Sequence, residues 1–169
     1  MSNTAYLLGE NEYCLKLASF LRDFINREYV KARTLNPELQ EGLIVRNIRN
    51  YDAVNVPLSE FPLLKVYRLR DTFKRATETT DPTNAAITFS VAYPDLDKLP
   101  DLLYWVGKKI NLALHSYSKS NLYLLPPPQD RNGDYTVEYL LTANEQLQVV
   151  YPFLRVAIQF KDMGNTSCL

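Results

Sequence analysis

The chain has 169 residues, 46% of them hydrophobic and 22% charged, with nineteen basic residues cancelling nineteen acidic ones. This is the size of one domain and an apolar fraction sufficient for one buried core, which excludes a disordered chain. The zero net charge excludes the positive field that gathers a protein onto phosphate backbones or anionic lipid, and nowhere do the ~18 uninterrupted apolar residues of a membrane span occur.

From Asn11 to about Tyr29 the apolar residues Cys14, Leu17, Ala18, Leu21, Phe24 and Ile25 recur at spacings of three and four, predicting an amphipathic helix that Asn11 caps and that ends before Asn36-Pro37. Leu43 to Arg49 reads as a short strand, with Leu43 and Val45 opposed to Ile44, Arg46 and Ile48. After the loop at Asn55-Val56-Pro57, Pro62 opens a second strand in which Leu64 and Val66 alternate with Lys65 and Tyr67, ending in Arg68, Leu69 and Arg70. The polar stretch Thr77 to Asn84 is predicted as a loop. Ile87, Phe89, Val91 and Tyr93 then alternate with Thr88, Ser90 and Ala92, the pattern of a strand with one packed face.

Helical spacing returns with Leu99, Leu102, Leu103, Val106, Ile110, Ala113 and Leu114. Asp97 and Asp101 suit the positive end of that helix, Pro100 is tolerated only in a first turn, and His115 is placed at the C-terminal end. Asn121 to Leu125 reads as a short strand, followed by the stiff Pro126-Pro127-Pro128 and a tight turn at Asn132-Gly133. Tyr135, Val137, Tyr139 and Leu141 alternate, and the last strand, Val149 to Lys161, carries Leu154, Val156, Ile158 and Phe160 on one face, with Pro152 marking a bulge or an edge. The residues beyond Asp162 read as a short flexible tail. The expectation is one α+β domain over residues 1–169, a mainly antiparallel sheet of about five to six strands packed by two amphipathic helices.

No reactive constellation emerges. His115 is the one histidine, the two cysteines Cys14 and Cys168 are far apart, and the five glycines form no phosphate-cradling run. The expectation is a chain with no catalytic residues, no metal site and no cofactor, kept in a reducing cytosol. Asp95, Asp97 and Asp101 have the oxygen ligands a hard cation prefers, but a helix start explains the same residues with nothing added and is the preferred reading. An enzyme reading would place Asp95 and Glu138 with a tyrosine or His115 in a cleft.

Surface residues supply the other candidates. Tyr104 and Trp105 fall off or at the border of the second helix's apolar stripe, in a chain of twelve tyrosines, and are candidate interface anchors. Lys65, Arg68, Arg70, Lys74 and Arg75 form a basic series that suits an acidic neighbour or a passing nucleic acid, and equally a solvated strand end. The rigid Pro126, Pro127 and Pro128 suit an inert surface loop first, or an interaction arm, since stiffness lowers the ordering cost of binding.

The helix Tyr13 to Ile25, the strand Pro62-Leu63-Leu64-Lys65-Val66-Tyr67, the strand Ile87 to Tyr93 leading directly into a helix, and the final strand Phe153 to Phe160 follow in an order that resembles the tail terminator proteins of tailed bacteriophages. The resemblance covers most of the chain at the level of element order. It implies a virion structural protein assembled in the bacterial cytoplasm, a homo-hexameric ring that caps the tail tube and joins it to the neck. Its neighbours would be the tail tube protein, the neck connector and, in a contractile tail, the sheath protein, with DNA only as passing cargo and no membrane. Another neck or sheath-associated component of a phage or injection system has the same features, and a monomeric peptide-binding module would use an exposed sheet edge instead.

Overall fold

The computed structural model describes residues 4–39, 43–52, 56–71, 83–91, 97–120, 124–127, 130, 132–144 and 149–160. Its elements are helix α1 (Thr4–Leu35), strand β1 (Asn47–Arg49), strand β2 (Leu63–Asp71), strand β3 (Thr83–Ser90), helix α2 (Leu99–Ser120), and strands β4 (Leu124–Leu125), β5 (Val137–Asn144) and β6 (Val149–Phe160). The fold is α+β, two helices on a six-stranded, mostly antiparallel, curled sheet, as the hydrophobic periods predict.

Helix α1 starts earlier and ends later than expected, and Asn11 lies inside it rather than at its cap. Ala5, Leu7, Leu8 and Glu10 are strong helix formers, so the backbone stays helical through a stretch without a clear apolar stripe. The helix stops where Asn36-Pro37 requires: the Asn36 amide donates to the Ala32 carbonyl at 2.9 Å, and the Asn36 side chain accepts from the Glu38 amide.

The segment after α1 is only partly a strand. β1 is confined to Asn47–Arg49 and runs parallel to β2, while Leu43 and Val45 are buried before it begins. Asn26 explains this arrangement. Its side-chain amide donates to the Val45 carbonyl at 3.0 Å and its oxygen accepts from the Val45 amide at 2.7 Å, so a helix side chain replaces the ladder partner that Val45 lacks. Asn26→Ala is expected to destabilise the protein by about 2 kcal/mol, read as a lower urea midpoint at unchanged slope, because both Val45 groups lose their partner.

β2, β3 and β6 form the centre. In register across the sheet, Leu64 stands opposite Phe89 and Phe89 opposite Leu154, all fully buried beneath the helices. Thr83 and Asn84, expected in a loop, open β3; the rest of that loop, residues 77–82, lies outside the described residues, as do Ala92, Tyr93, Lys161 and the tail 162–169. β3 also departs from the one-packed-face expectation: Ala86, Thr88 and Ser90 are buried on the side away from the helices. They are small, and the register sets them between the longer Tyr67, Lys65 and Phe153 and Arg155 on a curled surface.

Helix α1 buries Cys14, Leu17, Leu21, Ile25 and Tyr29, and α2 buries Leu103, Val106, Ile110 and Leu114, in one core with the sheet. The helices also meet each other through Phe20 and Tyr117, with ring centroids 4.9 Å apart, and through Glu28, which reaches both Lys31 and Lys109 at 3.5 Å. α2 runs on to Ser120, so His115 sits inside it rather than at its end, its ring edge-on to Tyr135 at 5.2 Å. The apolar face of α2 stays in register with the core past residue 114, since Tyr117 still packs against it.

Candidate functional site

β5 pairs with β6 along its whole length, and among the described strands it pairs with nothing else. Its last four residues, Leu141 to Asn144, face Val149 to Pro152 of β6, beyond the point where β3 ends opposite Phe153. The hairpin therefore overhangs the sheet as a two-stranded arm. Pro152 falls in this stretch, where β6 is paired along one side only among the described residues, the edge alternative of the bulge or edge expected there. Tyr135 precedes β5, which runs on through Ala143 and Asn144.

Between the arm and the first turns of α2 lies a groove of about 500 Å³, walled by Leu99, Pro100, Leu103 and Tyr104 from the helix and by Tyr139, Leu140, Leu141 and Pro152 from the arm. Local sequence builds both walls. Leu102 N–H donates to the Lys98 carbonyl as the helix begins, and Pro100, with no amide to give, fits that first turn. Gly107 lets the strand approach: a Cβ there would stand 2.7 Å from the Tyr139 hydroxyl and 3.1 Å from a Val137 methyl. Burial pushes the Tyr139 hydroxyl above the usual tyrosine range, and the neighbouring Tyr104 adds to the effect.

The walls are apolar yet open to solvent: Tyr104 is 54% exposed, Tyr139 49% and Leu141 73%. Lys108 lies 4.9 Å from the centre of the Tyr104 ring, a cation at the rim. An open apolar surface beside a strand whose outer edge is unpaired among the described residues is the signature of a docking surface.

The sequence candidates scatter around this groove. Tyr104 lines it, whereas its neighbour Trp105 turns to α1, half-buried, edge-on to Tyr29 at 5.8 Å with Lys109 over its ring. Pro126 and Pro127 are half-buried, the Asp130 amide donates to the Pro127 carbonyl, and the amide of Gly133, at φ +76°, donates to the Asp130 carbonyl. Pro128 is outside the described residues, as are Lys74, Arg75 and Asp95. Arg68 and Arg70 flank a bulge in β2 that leaves Leu69 58% exposed, with Arg68 half-buried and Arg70 at the surface.

On the face away from the helices one row crosses five strands: Arg49, Lys65, Thr88, Arg155 and Glu138. Each cation in it holds an acid, Arg49 with Glu60 at 2.8 Å, Lys65 with Asp52 at 2.7 Å and Arg155 with Glu138 at 2.7 Å. Tyr67, in the next row, has its hydroxyl pushed up by burial and by Asp52, with Arg155 offsetting part of the shift. Glu138 is thus ion-paired at the sheet edge, and Asp97 and Asp101 are exposed at the start of α2. Among the described residues no cluster of three His, Cys, Asp or Glu could hold a metal, and no helix is long and apolar enough to cross a membrane. Cys14 is a buried thiol in the core.

Sequence reasoning missed Leu99, Leu103, Tyr139, Leu141 and Pro152 as a site because each satisfies a structural pattern first. The available signal lay in β5: eight residues, one charge, no proline and no lysine, which is the composition of an unguarded edge. Scanned against protein-family models, the chain matches none, and a search of curated proteins finds no match.

Proposed function

We propose that this protein is a structural assembly component, a tail-terminator-like protein whose copies form a ring of six that caps a phage tail tube and joins it to the neck. The observation that supports this reading most is the arm of β5 and β6, its edge unpaired among the described residues, with the open apolar groove beside it. A chain that worked alone would carry this surface at a cost in solubility. A chain built to meet copies of itself needs such a surface, and with zero net charge the copies have no long-range repulsion to overcome.

In this role the tail tube protein and the neck connector are the axial partners, the sheath protein joins in a contractile tail, and DNA passes through the ring as cargo. The site of action is the virion, with assembly in the host cytoplasm.

The test is the mass of the purified protein by light scattering, followed by negative-stain images. Six copies of 19.5 kDa give about 117 kDa, in a ring with a central opening. A monomer at every concentration, with affinity for a linear apolar peptide, overturns this reading in favour of a strand-accepting module, the alternative that the same free edge supports.

A further inference from the structure

The register of the sheet relates its two outer edges. Asn47, Ile48 and Arg49 of β1 stand in the same rows as Leu140, Tyr139 and Glu138 of β5, linked through Leu63 to Lys65, Phe89 and its neighbours, and Phe153 to Arg155. The edges are level with each other. Counting directions across the ladders, β1 is parallel to β2, β2 antiparallel to β3, β3 to β6 and β6 to β5, so β5 runs antiparallel to β1.

We propose that β5 of one copy pairs antiparallel with β1 of the next, so that the sheet continues from copy to copy around the ring; this rests on the ring reading above. A rotation about an axis along the strands brings the two level edges together without shifting either. In that register the side chains match on both faces. On the outer face Glu138 meets Arg49 of the next copy, extending the alternation of charge from Arg155 and Glu138 to Arg49 and Glu60. On the helix face Tyr139 meets Ile48, an aromatic against a β-branched residue. Arg49, paired with Glu60, ends the row on the β1 edge and Glu138, paired with Arg155 and the one charge of β5, ends it on the other, so a head-to-tail seam joins the two ion pairs into one alternating row.

The seam is tested by cross-linking Asn47→Cys with Leu140→Cys in the full chain, in a Cys168→Ser background. These positions end one row, and within one copy four strand spacings, roughly 19 Å, separate them. A disulfide needs Cα atoms within about 7 Å, so a bond between them must join two copies. The expected result under mild oxidation is a ladder of covalent multimers on a non-reducing denaturing gel from the double variant, and monomers from either single variant. Multimers by light scattering without a ladder overturn the seam and leave the ring reading standing. Covalent dimers from Leu140→Cys alone overturn it in favour of a two-fold pairing of β5 edges. A monomer by light scattering with no ladder overturns the ring and the seam together.

Discussion

Phe89→Ala is expected to destabilise the protein by about 4 kcal/mol and to lower its melting temperature by about 10 °C. Phe89 is fully buried in the middle strand, with Leu64 opposite it on β2 and Leu154 opposite it on β6, all three on the helix face. Truncation removes the transfer free energy of the ring and leaves a cavity that two hydrogen-bonded strands cannot close by moving together. The loss is a large part of the roughly 5–15 kcal/mol that holds a domain folded. Urea denaturation measures it directly, and a loss under about 1 kcal/mol would show that the helices collapse into the gap, so that the centre of the core lies elsewhere. Tyr104→Ala is the control, an aromatic truncation at a 54% exposed position that should cost little.

That contrast marks what the sequence makes legible. Periods of 3.6 and 2 locate burial, and they place Leu17, Leu21, Ile110, Leu64, Ile87 and Leu154 in the core because burial is what selects those residues at those spacings. They are silent where a side chain replaces a backbone partner. Leu43 to Arg46 has the composition of a strand, yet Asn26, nineteen residues before Val45, supplies the hydrogen bonds, and nothing local announces that pairing. The same limit hides the groove. Tyr139 and Leu141 alternate like any inward-facing pair, and only the tertiary arrangement shows that β5 continues past β3 and past the cover of α2. Tyr104 and Trp105 show how fine the distinction is. They are adjacent on one helix, about 100° apart around its axis, and that turn sends one ring to the groove and the other to Tyr29.

Tyr104→Asp combined with Leu141→Asp is expected to leave the monomer's stability within about 0.5 kcal/mol per substitution while weakening self-association by about 30-fold or more. The first half follows from exposure: at 54% and 73% exposed, neither side chain contributes much burial, and a carboxylate at either position remains hydrated. The second follows from the groove. Once a second copy covers it, the same carboxylates lose that water, a cost that Lys108 beside position 104 and, in the seam register, Arg46 of the next copy opposite position 141 offset only in part. An interface anchor is worth about 2 kcal/mol, and 1.4 kcal/mol is a factor of ten in affinity, which gives about 30-fold at each seam. In a ring every copy takes part in two seams, so the penalty recurs around the circle and the closed species should vanish at concentrations where the unsubstituted protein forms it. Light scattering against a urea denaturation series separates the two halves. A variant that unfolds shows the groove to be part of the core, and a variant that stays folded and still assembles removes the groove from the interface.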